Sequence, residues 1–316
     1  MSIPVILDCD PGHDDAVALL LALASPELSL LGVTTVAGNT TLDQTTVNAL
    51  KVLELSEHGH IPVAAGAVRP LVRELVVAHH VHGKSGLDGP SLAEPAIRPL
   101  SVHAVDFLAE KIDSSPDPVT LIPVGPLTNI ALLLSRYPEV VGNIDRIVSM
   151  GGAIGTGNFT PAAEFNIYVD PEAAHRVYHS GVPITMIGLD VTHQALLDDT
   201  HAERLRSTGR VGRFVAELLD FFIGNYPRHG TVGAGAPIHD AVAVASVIWP
   251  DLVTTEDCYV TVDTQSELCR GRTVVDRWHV TGEPANASVG LTLPGDRFAD
   301  LLVERISGLD MGAVAG

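Results

Sequence analysis

Residues Val5–Leu23 read VILDCDPGHDDAVALLLAL, and this stretch decides how the chain is read. Val5, Ile6 and Leu7 are apolar without interruption, as in a parallel strand buried on both faces, so a strand is expected to end near Asp8. Pro11-Gly12 turns the chain, and the Ala/Leu-rich run that follows is helical. Asp8, Asp10, Asp14 and Asp15 fall within eight positions. Asp8 and Asp10 face one side of extended chain. Asp14 and Asp15 open the helix, where negative charge is favoured. A helix cap explains one or two of these acids. Four so close repel one another unless a cation neutralises them, and an all-oxygen set selects Ca²⁺ or Mg²⁺ over zinc.

The chain has 316 residues, of which 46% are hydrophobic and 18% charged, the balance of a well-buried globular protein. Its net charge of −19 argues against nucleic acid or an anionic membrane as partner. Cys9, Cys258 and Cys269 have no zinc spacing and are odd in number for a disulfide framework. No signal peptide is read at MSIPVILD and no run spans a membrane, so a cytoplasmic protein is expected.

Strand and helix alternate for most of the length. Strands are predicted over Leu30–Ala37, Ile61–Ala65, Val119–Val124, Ile144–Met150 and Pro183–Leu189, and an antiparallel pair over Cys258–Val262 and Thr273–Val280. Helices are predicted over Thr41–Leu55, Val102–Ile112, Leu127–Ser135, Pro171–His179, Asp199–Leu205, Val211–Phe222, His239–Ile248 and Arg297–Ile306. Such alternation implies an α/β fold with a mainly parallel, open, Rossmann-like sheet flanked by helices. No linker or repeat divides residues 1–316, so one domain is expected. Val68–Pro99 departs from the rhythm and reads as a functional loop or lid. Asp8/Asp10, Asn39, Val124-Gly125, Gly151-Gly152 and Asp190 follow strand ends. Ligands of open parallel sheets bind outside those ends.

Three further stretches carry polar chemistry. GNFTPAAEFNIYVD (Gly157–Asp170) holds Asn158, Glu164 and Asn166, a mixture of amides and carboxylate able to hold several hydroxyls. Pro237-Ile238-His239-Asp240 opens an Ala/Val helix, where each polar residue alone reads as a cap or a surface group. His79, His80 and His82 lack a second ligand pair for zinc, which leaves one of them as an acid on the lid. GGAIGTG is not followed by a helix carrying Lys-Ser or Lys-Thr and is not a phosphate loop.

Together these segments resemble the nucleoside hydrolase family, in its inosine–uridine-preferring branch. DCDPGHDD fits that family's four-acid signature. Gly38-Asn39, VGPLTNIA (Val124–Ala131), SMGG (Ser149–Gly152), the Asn158/Glu164/Asn166 stretch and Pro237–Asp240 recur in its order. The resemblance implies a Ca²⁺ ion held by Asp10, Asp15, Asp240 and the Val124 carbonyl, with Asp8 beside them. It implies a ribose gripped by Asp14, Asn39, Asn166 and Glu164, helped by Asn158 and Met150. The implied reaction is hydrolysis of the N-glycosidic bond of a ribonucleoside of the inosine/uridine or pyrimidine type. Asp10 would take the proton of the attacking water, and His239 and His82 are the candidates that assist the departing base. A homotetramer is implied as well.

Glycine-rich Asn225–Ala236, with Tyr226, Arg228 and His229, departs from the family's usual Tyr and Gln or Arg pattern and leaves base preference open. Only Trp249 and Trp278 are present, and His82 stands where the purine-specific branch carries a tryptophan. Two other readings fit these residues less well. A Mg²⁺-dependent Asp-x-Asp phosphatase expects Thr or Val where Gly12 stands. A non-catalytic nucleoside or ribose binder would not need lid histidines or the Asp10/Asp14 pair.

Overall fold

The computed structural model describes residues 2–225 and 235–312. The first half of the chain runs β1 (Ile3–Cys9), α1 (His13–Leu23), β2 (Leu28–Thr35), α2 (Leu42–Leu55), β3 (Val63–Ala65), α3 (His79–His82), α4 (Ala104–Ser114), β4 (Val119–Pro123), α5 (Thr128–Arg136) and β5 (Ile144–Met150). It continues through α6 (Phe165–Val169), α7 (Pro171–Tyr178), β6 (Ile184–Ile187), α8 (Leu189–Thr192), β7 (Leu196–Leu197), α9 (Asp199–Arg206) and α10 (Arg210–Asn225). The described remainder is β8 (Ala236–Pro237), α11 (His239–Ile248), β9 (Thr254–Val262), β10 (Thr273–Asp276), β11 (Ala287–Thr292) and α12 (Gly295–Gly312).

Among the described residues, nine strands form one sheet in the order β10-β9-β11-β6-β5-β4-β1-β2-β3. Every neighbouring pair from β3 to β11 is parallel, while β9 runs antiparallel to both β11 and β10. The mainly parallel α/β sheet expected from the alternation is therefore present. β11 is the strand of this sheet that the sequence reading missed. ASVGLT is six residues long and interrupted by Ser288 and Gly290, which hides its apolar alternation, yet it separates β9 from the parallel strands. β6 also ends at Ile187, so Asp190 lies in the helical turn α8 and not at the strand end.

β1 shows why the sheet is buried on both faces. Val5, Leu7 and Cys9 enter the apolar layer formed with α1, α2, α10, α11 and α12, and Ile6 enters the opposite layer with α4, α5 and α7. Helix α1 is itself buried from His13 to Ala22, as a helix that is apolar all round must be. It packs against α11. Ala16 and Ala18 on one helix and Ala241, Ala243 and Ala245 on the other are fully buried, and side chains this small let the two helices approach closely.

The connections place β1 between β2 and β4. The chain winds outward through β2 and β3, then returns to β4, which leaves a crevice beyond the carboxyl ends of β1 and β4. Asn129 on α5 closes the floor beneath it. Its Nδ2 donates to Asp8 Oδ1 at 2.8 Å and to the Thr35 carbonyl at 3.0 Å, and its Oδ1 accepts the Ala67 N–H at 2.9 Å. Asn129 is fully buried, so Asn129→Ala would strand these partners away from water. A loss of about 3 kcal/mol is expected, read as a lower urea midpoint. A midpoint equal to that of the unsubstituted protein would deny Asn129 this structural role.

Candidate active site

Helices α1 and α11 begin at the same place, and their first turns bring Asp14, Asp15 and Asp240 together. One carboxylate oxygen from each lies within 4.8 Å of the others, and all three residues are buried. Two helix N-termini aimed at one point favour negative charge there. Asp15 also has a local role. Its carboxylate accepts the Gly12 N–H at 2.9 Å and the Asp10 N–H at 3.0 Å, the bond of a third helical residue back onto the capping residue. The capping explanation and the cluster thus both apply to Asp15.

Asp10 follows β1 and is fully buried. Asp10 Oδ2 accepts the Asn39 N–H at 2.6 Å, and the Asn39 amide group donates to the Asp10 carbonyl at 3.2 Å and to Asp15 Oδ2 at 3.0 Å. Asp10 Oδ1 is buried with no hydrogen-bond partner. A Cβ on Gly125 would sit 2.5 Å from that oxygen, so glycine is required for the chain to come this near. Asp8 does not share the Asp10 environment, because β1 ends between them. Asp8 Oδ1 accepts the Thr34 hydroxyl at 2.6 Å together with Asn129, and its Oδ2 is buried without a partner.

Burial raises the pKa of every acid here. Asp8 is pushed up to about 7 against the pull of Asn129 and Thr34. Asp14 is pushed up to about 8 by burial and then by the charge of Asp15. Asp10 and Asp240 are raised well above the carboxylate range by burial and by their acidic neighbours. Asp15 is raised by burial, although hydrogen bonds from the Gly12 and Asp10 amides oppose the rise.

Above the acids lies a cavity of about 520 Å³. Asp14, Asn39, Val124, Met150 and Asp240 line its floor. Asn158, Glu164 and Asn166 line one wall, and His82 and His239 line it as well. Asp8, Asp10 and Asp15 lie beneath the lining. No Lys or Arg is among the described residues that line the cavity.

The wall is held by its own hydrogen bonds. Glu164 caps α6 by accepting the N–H groups of Asn166 and Ile167 at 2.9 and 3.1 Å, and it also accepts that of Gly152 at 3.0 Å. Asn158 Oδ1 accepts the Phe165 N–H at 3.0 Å. Asn166 Nδ2 donates to the carbonyls of Val124 at 2.8 Å and Met150 at 3.3 Å. Asp190 binds the N–H groups of Ile154 and Gly155 at 2.6 and 3.2 Å. The glycine-rich loop is therefore anchored to a carboxylate, in accord with its rejection as a phosphate loop.

His80, one of the three lid histidines, also lines the cavity, as do Phe159, Phe165, His193 and Phe222, which were not singled out in the sequence. Phe159 and Phe165 lie inside the chemical stretch Gly157–Asp170, the one signal that could have found them. Trp249 ends α11 beside Arg305, and Trp278 is 89% exposed. Neither lines the cavity. Tyr226, Arg228 and His229 lie outside the described residues.

A family model described as inosine-uridine preferring nucleoside hydrolase matches residues 5–300. The chain is 57% identical to the pyrimidine-specific ribonucleoside hydrolase RihA of Shewanella sp. (strain ANA-3), with 97% of each chain covered. It is 51% identical to the protein of that name from Citrobacter koseri, over 97% of this chain and 99% of the relative. Among solved structures, the purine-preferring ribonucleoside hydrolase from Gardnerella vaginalis superposes with a TM-score of 0.91 at 34% identity, covering 97% of this chain and 99% of that one.

Fold, site and matches together define a hydrolase of N-glycosidic bonds. The chain belongs to the inosine–uridine preferring nucleoside hydrolase family.

Proposed function

We propose that the enzyme hydrolyses pyrimidine ribonucleosides to ribose and free base with a Ca²⁺ ion held by Asp10, Asp15, Asp240 and the Val124 carbonyl. One observation carries the reading: four mutually repelling carboxylates are buried at the floor of a nucleoside-sized cavity, with no Lys or Arg among the described residues that line it. The unpartnered Asp10 Oδ1 and the exclusively oxygen donors fit a hard divalent cation. Once bound, Ca²⁺ would neutralise these charges and acidify the attacking water.

The chain's own residues do the rest. Asp10 accepts a proton from the water that adds to C1′. Asp14, Asn39, Asn158, Glu164 and Asn166, with Met150, hold the ribose so that its positive charge develops against carboxylates. The electron pair of the C1′–N bond leaves with the base. Ribose keeps the hydroxyl of the water and the base ends with the hydrogen. Asp8, two positions before Asp10, steadies the strand end through Thr34 and Asn129.

His239 is placed to assist the base. Burial and the neighbouring His193 push its pKa down to about 3, so its ring is neutral, and its Nδ1 lies 2.7 Å from the Thr192 hydroxyl. A neutral imidazole assists by hydrogen-bond donation. His239→Ala is expected to lose about a hundredfold in kcat on uridine and little on p-nitrophenyl riboside, whose phenolate leaves unaided. Equal losses on both would reduce His239 to a structural residue.

Pyrimidine preference rests on the 51–57% identical relatives of that name and on the absence of both tryptophans from the cavity. A panel of uridine, cytidine, inosine, adenosine and guanosine, followed by release of the base, tests it. Faster release from purine nucleosides would overturn the preference, and phosphate release from phosphomonoesters would overturn the class. Three free cysteines suit a reducing cytoplasm, and no helix among the described residues is long and apolar enough to cross a membrane. One catalytic domain per chain, expected because no linker or repeat divides the sequence, and a homotetramer, drawn from the family resemblance, complete the reading.

A further inference from the structure

One side chain of the acid-rich motif is used by neither the ion nor the ribose in this scheme. His13 is the first residue of α1 and is buried. Its ring stacks on His82, Phe221 and Phe222 with centroids 5.3, 5.1 and 5.4 Å away. Its backbone N–H donates to His82 Nδ1 at 3.3 Å, its Nδ1 lies 3.1 Å from that same atom, and its Nε2 lies 2.8 Å from the Asp88 carbonyl oxygen. Asn48 draws the same segment inward by donating to the carbonyls of Pro11 at 2.9 Å and Ser85 at 2.8 Å. A Cβ on Gly12 would meet His82 Nδ1 at 2.8 Å, so the turn keeps glycine where the histidine comes in.

The first amide of a helix has no carbonyl of its own helix to bond. In α1 that hydrogen goes to a side chain 69 positions away. A peptide hydrogen cannot be relocated, so the nitrogen it meets is an acceptor, and the single proton of a neutral imidazole belongs on the other nitrogen. Burial keeps His82 neutral by holding it well below the usual histidine range. His82 therefore carries its hydrogen on Nε2, the nitrogen turned away from His13, and it lines the cavity. His13 faces the Asp88 carbonyl through Nε2, which calls for its one ring proton there, so its Nδ1 is an acceptor like that of His82 and the two rings meet by stacking, not by a hydrogen bond.

We propose that His13 is a positioning residue for base departure: its amide holds His82 as an Nε2–H donor aimed at the nucleobase, and its ring, anchored on the Asp88 carbonyl, stacks on the His82 ring and keeps it in place. This deepens the reading of the site given above and rests on it. His82 donates a hydrogen bond to the base as charge gathers there.

Two variants test this. His13→Phe keeps the stack and the amide but removes both ring contacts, and His13→Gln restores a donor toward Asp88. His13→Phe is expected to lower kcat on uridine by about ten- to a hundredfold, the penalty of a misplaced group. Its kcat on p-nitrophenyl riboside should stay close to that of the unsubstituted enzyme, and His13→Gln should recover most of the uridine rate. With ring-¹⁵N histidine, assigned against His82→Asn, His82 should show a protonated Nε2 both in the unsubstituted protein and in His13→Phe, since both keep the amide that meets Nδ1. A proton on Nδ1 of His82 in the unsubstituted protein, an unchanged uridine kcat in His13→Phe, or equal losses on both substrates would overturn the proposal. If no nucleoside releases its base, the functional reading fails on its own. The nitrogen spectra then still decide the positioning, since Nε2–H on His82 in both the unsubstituted protein and His13→Phe supports it and Nδ1–H in either overturns it.

Discussion

Asp10→Asn is expected to lower kcat/KM on uridine by about ten-thousandfold while leaving the protein folded. Two functions are lost together. The amide cannot take a proton from water, and the cation loses a charged ligand. The stability response separates this from simple damage. Asp10 is fully buried, Asp15 lies beside it, and its Oδ1 has no partner. Without a cation, removing its charge relieves repulsion, so the variant should melt higher than the unsubstituted protein in chelator. With Ca²⁺ the order should reverse. A ligand bound only by the folded state adds about 4 kcal/mol at a thousandfold excess over its Kd, and the variant should forfeit most of that gain. Thermal melts with chelator and with CaCl₂, alongside base release, make the measurement. Full activity, or an identical calcium-induced rise in Tm, would remove Asp10 from the metal site.

The second large effect concerns the sugar. 2′-Deoxyuridine is expected to react with a kcat/KM about ten-thousandfold below that of uridine. A site built to pair a hydroxyl leaves its own buried polar groups unmatched when that hydroxyl is missing. Here those groups are held in advance. Glu164 is fixed by amides from α6 and from Gly152, Asn158 by Phe165, and Asn166 by two carbonyls. None can turn aside to find water without breaking these bonds. Asp14 is 6% exposed and equally confined. Comparable rates for the two nucleosides, measured side by side, would dissolve the ribose clamp and leave the wall a structural feature.

What the sequence made legible follows from locality. Strand β1 could be read because both its faces are buried, and α1 because acids, turn and apolar run follow one another directly. The strand ends at Cys9, so the two-residue period that relates Asp8 to Asp10 in extended chain does not reveal that the two acids take different partners. Asp8 turns to Thr34 and Asn129, and Asn129 is 121 positions away. A buried amide on a helix has no periodic signature that reveals such a partner. The meeting of His13 with His82 and Asp88 is hidden for the same reason. Asp240 could be brought to Asp15 only by resemblance, since nothing in the first helix announces a second one beginning beside it.

That apposition of α1 and α11 also orders events along the chain in time. The acids on α1 are made first, while Asp240 is more than 220 residues further on and reaches them only when α11 packs against α1. An N-terminal portion of the chain therefore carries unneutralised buried charge and has no means of closing its own site. If the proposed cation bridges the two helices and their apposition forms late, it is expected to retard unfolding more than it hastens folding. The site thus works as a latch, set last and released first.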